Sequence, residues 1–253
     1  MTPTATLLLG AMLGIAAGSL LVPVTRRELA AAVTRSASLT MDAPFSTEGD
    51  DPPRVTPRQW LALAAVSGLL PAYVLHRVGW SPNAIPPLLL LIGLVQLAYC
   101  DLTLRLLPKT LVYALSLVVI ASGVMVAAGT GEWHRLLIAA LGALAASALF
   151  FAVNLMNPRW MAFGDVRLSL VFGFGVAWVS PMALVQAFFY ANILAAVIGL
   201  ILIALRRADR GSALPFGFYM ALGAGLVVTA AVVEFAALLQ IIRDDLEVKK
   251  AVA

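Results

Sequence analysis

The chain has 253 residues, of which 62% are apolar and 12% are charged, and its formal net charge at pH 7 is +4. Soluble domains contain about 45–50% apolar and about 25% charged residues, so this composition excludes a soluble globular protein and indicates a polytopic membrane protein. The basic excess then indicates membrane orientation rather than nucleic-acid binding, and a single cysteine, Cys100, excludes an internal disulfide or a multi-cysteine zinc site.

Eight apolar segments are candidates for membrane-spanning helices, each of which needs about 20 residues. They lie at residues 4–23, 59–76, 84–100, 110–128, 136–156, 168–181, 182–205 and 213–241. The sixth and seventh form one continuous apolar run, which we divide at Ser180-Pro181 because proline disfavours the continuation of a helix. The sequence therefore predicts an all-α transmembrane bundle of about eight helices in a single domain over residues 1–253, with a short sixth helix.

The basic residues that flank these segments predict the orientation of the helices. The first segment follows no basic residue and precedes Arg26 and Arg27, so we expect a retained helix with its N-terminus outside, rather than a cleaved signal peptide. With the N-terminus outside and eight membrane crossings, twelve of the 17 Lys and Arg residues fall in loops on the inside of the membrane. The longest loop, residues 24–58, is then cytoplasmic, and its many Ser, Thr, Pro and Asp residues predict a flexible segment.

Two acidic residues are predicted to lie at the same membrane depth on different helices. Asp101 ends the third predicted helix and Asp165 begins the sixth, both on the cytoplasmic side. Carboxylates in apolar segments are costly and mark candidate functional sites. If the two converge, they cannot both ionise cheaply, so they share a proton and can act as base and acid in hydrolysis. Alternatively, each carboxylate marks a helix end, reaches water, or pairs with Arg105 or Arg167.

The remaining ionisable residues of interest suggest no rival catalytic set. Asp209 lies among arginines, where solvation or ion pairing explains it, and Glu234 is expected to pack toward a polar neighbour or the outer interface. Glu132 lies in an outside loop. His76 and His134 are too few for a metal site and lie near outside loops, so we predict no metal and no cofactor.

Four short stretches follow one another in a specific order from residue 18 to residue 223. They are Gly18-Ser19-Leu-Leu…Arg26, Asp101-Leu-Thr-Leu-Arg-Leu-Leu-Pro108-Lys-Thr-Leu, Ala162-Phe-Gly164-Asp165-Val-Arg-Leu168 and Leu214-Pro-Phe-Gly217-Phe-Tyr-Met-Ala-Leu-Gly223. This ordered set resembles the motifs of type IV prepilin peptidases. The resemblance implies an aspartic endopeptidase of the bacterial inner membrane. Such an enzyme removes the short basic leader of a prepilin or pilin-like protein, cutting after a glycine just before the hydrophobic helix of the pilin.

The resemblance also assigns roles to individual residues. It implies that Asp101 and Asp165 are the catalytic pair and that Gly164 lets the backbone bring Asp165 close to its partner, since glycine has no Cβ. The other residues that it implicates set turns or helix starts, or help to hold the substrate; they are Pro108, Pro215, Phe216 and Gly217.

The sequence departs from the family pattern at three places. Ala162 stands where the second motif usually has its first glycine, and Lys109 replaces a common acid after the Leu-Pro turn. Many members carry two Cys-x-x-Cys pairs in a cytoplasmic loop, which suit zinc, whereas residues 24–58 contain no cysteine. Bifunctional members also N-methylate the new pilin N-terminus with S-adenosylmethionine, and here we expect peptidase activity alone.

Two alternative functions remain open from the sequence. One is a proton-coupled transporter that uses the same carboxylates, although such proteins usually have midplane sites and inverted repeats, and no repeat is visible here. The other is a non-catalytic relative that binds pilins during assembly, which the presence of both Asp101 and Asp165 argues against.

Overall fold

The structure is a computed structural model that describes residues 57–78, 81–104, 107–157, 162–205 and 216–230, together with single positions between 11 and 31. These single positions are all helical and include Val24, Arg27 and Ala31 of the predicted 24–58 loop. Pro57 and Arg58, the last two residues of that predicted loop, are helical as well, and its remaining residues lie outside the described residues. The same holds for Arg105, Asp209, Pro215 and Glu234.

Seven α-helices have defined bounds within the described ranges. They are α1 (Pro57–Val78), α2 (Ile85–Leu104), α3 (Lys109–Thr130), α4 (Trp133–Met156), α5 (Phe163–Ala177), α6 (Pro181–Ala204) and α7 (Phe216–Ala230), with a 3₁₀ turn at Pro82–Ala84 before α2. Four of them, α2, α3, α4 and α6, are long and apolar enough to cross a membrane. The predicted all-helical membrane bundle is confirmed, with seven bounded helices in place of eight. Most of the first predicted segment, 4–23, lies outside the described residues.

The division of the long apolar run at Ser180-Pro181 is confirmed. Ser180 is the N-cap of α6, and its side-chain oxygen accepts a hydrogen bond from the backbone N–H of Ala183 at 2.9 Å. Pro181 occupies the first helical position, where the missing N–H of proline costs no hydrogen bond.

Helix α5 begins five residues earlier than the sequence predicted, at Phe163 instead of residue 168. The apolar pattern was interrupted by Asp165 and Arg167, but the backbone is already helical there. The N–H of Asp165 donates to the carbonyl of Ala162 at 3.0 Å and closes the first turn. Asp165 therefore lies inside the first turn of α5, where the positive end of the helix dipole favours an acid.

Helix α5 lies at the centre of the bundle and packs closely against α4. Its residues from Val171 to Ala177 are all buried. Small residues on both helices allow this approach, because a Cβ at Gly173 would lie only 2.6 Å from the carbonyl oxygen of Gly142. The close packing at Gly173 therefore fixes the position of the helix that carries Asp165.

A polar cluster joins three connections at the end of the bundle opposite Asp101 and Asp165. The side-chain amide of Asn83 donates to Glu132 at 3.1 Å, and the indole N–H of Trp178 donates to the carbonyl of Asn83 at 3.0 Å. Glu132 also forms an ion pair with Arg135. The hydrogen bond from Asn83, aided by Arg135, lowers the pKa of Glu132. Glu132 and Asn83 therefore join the connections before α2 and α4, and Asn83 also holds the end of α5.

Candidate active site

Asp101 and Asp165 come together at one end of the bundle. Asp101 lies in the last turn of α2 and Asp165 in the first turn of α5, and their exposed fractions are only 5% and 7%. The charges of the two side chains repel each other across the helix contact. Two buried carboxyls in this relation favour a state in which they hold one proton between them.

The carboxyl of Asp165 is held by its own helix. Ala162 is the N-cap residue of α5 and Asp165 is the third residue of that helix, so the side chain can reach back to the N–H of Ala162. That N–H is a hydrogen-bond partner of the carboxylate. The backbone of Ala162 is extended, with φ −72° and ψ 144°, and its side chain is exposed. Alanine at this position therefore causes no backbone strain and no crowding.

The carboxyl of Asp101 is held by a helix that is distant in sequence. The backbone N–H of Phe218, in the first turn of α7, donates to Oδ2 of Asp101 at 3.0 Å. A Cβ on the neighbouring Gly217 would lie 2.9 Å from the same oxygen. Gly217 therefore lies directly against the carboxyl of Asp101. The resemblance implied only a turn or a substrate contact for this glycine. Phe218 was not singled out from the sequence, although its position just after Pro215 and Gly217 marks the start of a helix, where N–H groups lack intrahelical partners.

Arg167 does not neutralise Asp165 in this arrangement. Side chains two positions apart on a helix point in different directions, and the guanidinium of Arg167 lies over the ring of Phe163, 4.6 Å from its centroid. It also lies 5.8 Å from the ring centroid of Tyr113 in α3. Between Arg167 and Asp165, both among the described residues, there is no ion pair. The alternative in which Asp165 pairs with Arg167 is therefore not observed in the structure.

The other residues implicated by the sequence shape the surroundings of the pair. A Cβ at Gly164 would lie 3.3 Å from Cβ of Leu107, so this glycine admits the connection between α2 and α3. Pro108 is the N-cap of α3 and is buried. The ring of Phe216 packs 5.8 Å from that of Phe150, centroid to centroid, and thereby ties the start of α7 to α4.

An apolar groove runs between α1, α2 and α7 and reaches the neighbourhood of Asp101. Its cavity has a volume of about 390 Å³, and Tyr99, Leu102 and Phe218 line the part near Asp101. Its other lining side chains are almost all apolar, among them Leu63, Leu94, Ala221 and Leu226. The groove can therefore accept an extended apolar group next to the carboxyl pair.

The described part of the chain contains no set of side chains that could bind a metal ion. Nowhere in the described residues do three His, Cys, Asp or Glu side chains come together in a way that could hold a metal ion. Cys100 is buried in α2, beside Asp101 in sequence. Among the described residues, this end of the bundle holds two carboxyls together with backbone hydrogen-bond donors.

The part of the chain that carries Asp101 and Asp165 is similar in sequence to known proteins. The model of the type IV leader peptidase family matches residues 88–203, which include Asp101 and Asp165. A prepilin leader peptidase/N-methyltransferase of Stutzerimonas stutzeri is 29% identical over 181 residues, covering 68% of this chain and 60% of that protein. A protein of the same name from Pseudomonas aeruginosa is 30% identical over 158 residues, covering 62% and 53%. The chain thus spans only 60% and 53% of the length of these curated relatives. No solved structure matches it.

Proposed function

Because the chain belongs to the type IV leader peptidase family over residues 88–203, we propose that it is a membrane aspartic endopeptidase that removes the leader of prepilins or pilin-like proteins. The proposed catalytic pair is Asp101 and Asp165, at the cytoplasmic face of the bacterial inner membrane. The observation that carries this proposal is the meeting of two buried, mutually repelling carboxyls at the ends of α2 and α5.

The chemistry of peptide hydrolysis follows from a pair that shares one proton. The charged carboxylate takes a proton from a water molecule as the water oxygen attacks the scissile carbonyl carbon, and the protonated partner donates its proton to the carbonyl oxygen. The resulting diol collapses as the C–N bond breaks, and the amine leaves with a proton returned by the pair. Neither step requires a cofactor.

The test of this function is leader cleavage by the purified protein in liposomes. We expect a prepilin supplied in the same bilayer to be cut once, with a yield that rises with time and enzyme concentration. Liposomes that show a proton flux but no cleavage would instead favour the transporter alternative. Binding of the prepilin without cleavage would favour a pilin-assembly factor.

The apolar groove is proposed to receive the hydrophobic segment of the substrate that follows the scissile bond. The groove is continuous with the site, because Phe218 lines it and also donates its backbone N–H to Asp101. A peptide bond near the carboxyl pair would place its next residues against Leu102 and Ala221. Burial of apolar side chains in that groove would supply much of the binding energy.

Ala221→Trp is expected to raise KM about tenfold with little change in kcat, because an indole would occupy the groove and remove about 1.4 kcal/mol of substrate binding. Ala221 is half-buried and borders the cavity, so the larger side chain has space to enter it. The matched control is Ala196→Trp, on an exposed face of α6. Initial rates at several prepilin-to-lipid ratios measure both constants. Equal KM values for the two variants would contradict the assignment of the groove.

We also propose that the chain acts as a peptidase without N-methylation. Residues 24–58 contain no cysteine, and Cys100 is the single cysteine of the chain. Incubation with prepilin and S-adenosylmethionine is therefore expected to yield a pilin with an unmodified N-terminus. Mass spectrometry of the product measures this, and a methylated N-terminus would contradict the proposal.

A further inference from the structure

The first turn of α7 donates a backbone hydrogen bond to the carboxyl of Asp101. The first N–H groups of any α-helix lack partners within the helix, and a side chain at the N-cap usually accepts from one of them. In α7 the N–H of Phe218, the third helical residue, donates to Oδ2 of Asp101 at 3.0 Å. Asp101 thus serves as an acceptor of the N-cap kind, although it belongs to α2 and lies 117 positions earlier.

Gly217 makes this hydrogen bond sterically accessible. Any Cβ at position 217 would lie 2.9 Å from Oδ2 and 3.4 Å from Cγ of Asp101, so only glycine lets the carboxyl lie directly against the backbone of α7. The carboxyl accepts a hydrogen bond from that backbone and lies within electrostatic range of Asp165. The phenol of Tyr219 is a further titratable group within electrostatic range of Asp101.

We propose that Gly217 and the backbone N–H of Phe218 are positioning groups for Asp101. They fix the rotation of its carboxyl, and the positive end of α7 stabilises the charge that the pair carries. This inference rests on the proposed peptidase function, because it assigns a role toward the reaction of that same pair. It also gives the Pro-Phe-Gly stretch a function other than contact with the substrate.

A matched pair of variants at position 218 tests the hydrogen bond. Phe218→Ala and Phe218→Pro both remove the ring, but only proline removes the N–H. Proline is tolerated in the first turn of a helix, since its N–H has no intrahelical partner there. We expect kcat of Phe218→Pro to lie about 10²-fold below that of Phe218→Ala, with equal KM, because a misplaced catalytic group costs about that factor. Equal kcat values in two folded variants would overturn the inference.

Gly217→Ala tests the same idea without removing a donor. The atom that a new Cβ would meet is the end of a movable side chain, and alanine favours a helix over glycine, so we expect a normally folded protein. Its kcat is expected to fall about 10²-fold at unchanged KM, as the carboxyl of Asp101 is displaced. The control is Gly129→Ala in the last turn of α3, where a Cβ would meet nothing within 4 Å.

The outcomes separate this inference from the proposed function. Cleavage by the wild-type protein together with wild-type kcat in Gly217→Ala would overturn the positioning role and leave the peptidase function intact. Absence of cleavage by the folded wild-type protein would overturn the peptidase function itself. A raised KM at unchanged kcat would show that position 217 contacts the substrate, which also contradicts the inference.

Discussion

Asp101→Asn and Asp165→Asn are each expected to reduce the rate of prepilin cleavage by at least about 10³-fold, because an amide can neither accept the proton of water nor share one with its partner. Asparagine has nearly the shape of aspartate, so packing at the ends of α2 and α5 should be kept. The measurement is the cleavage rate per mole of folded protein in liposomes. Wild-type processing by either variant would contradict the mechanism.

The same two variants should be at least as stable as the wild-type protein. Both carboxyls are buried, with exposed fractions of 5% and 7%, and they repel each other. A neutral amide at either position leaves one carboxyl, which can be protonated, so the cost of burying an ionised carboxyl is no longer imposed by its partner. A thermal midpoint in detergent that is equal or higher, with lost activity, is therefore expected. A lower midpoint would mean that the carboxyls hold the fold together, which contradicts a purely catalytic role.

Glu132→Gln is the matched control for charge removal. Glu132 lies at the opposite end of the bundle, and a glutamine there can still accept the hydrogen bond from the amide of Asn83. The ion pair with Arg135 is about one third exposed on each side chain and lies at the surface of the bundle, where ion pairs contribute little to stability. Cleavage at the wild-type rate is expected for this variant.

The sequence is a good guide to this fold because each helix is recognisable locally. Long apolar runs predict α3, α4 and α6 closely, and Pro181 marks the boundary that continuous hydropathy hides. The start of α5 was predicted too late because Asp165 and Arg167 interrupt the apolar pattern, whereas a helix start accommodates an acid well. Charge alone does not reveal that Arg167 packs on the rings of Phe163 and Tyr113.

The candidate site required tertiary information that no local pattern contains. The common depth of Asp101 and Asp165 could be predicted from topology, but whether the two carboxyls lie within electrostatic range of each other depends on how α2 packs against α5. The contact between Asp101 and Phe218 joins positions 117 residues apart through a backbone group, which has no sequence signature. Gly217 could be predicted only as part of a motif, and the reason for the glycine is the oxygen of Asp101.

Gly173→Leu is expected to prevent correct assembly of the bundle. A Cβ at this position would lie 2.6 Å from the carbonyl oxygen of Gly142 and 3.0 Å from Cα of Ala143. Both are backbone atoms of α4, so they cannot rotate away as a side chain does, and α5 must separate from α4. Overpacking of a well-packed core costs about 1–3 kcal/mol and occasionally more, and the larger leucine should lie at the upper end. Membrane accumulation and the thermal midpoint in detergent measure the effect.

Gly129→Leu is the control for this substitution, since position 129 is exposed and a Cβ there would meet nothing within 4 Å. Equal midpoints for the two leucine variants would contradict the close contact of α4 and α5. The comparison with Gly217→Ala separates two uses of glycine in one bundle. At position 173 the obstructing atoms belong to the backbone, so the fold should fail. At position 217 the obstructing atom is a carboxyl oxygen that can move, so the fold should persist while the reaction slows.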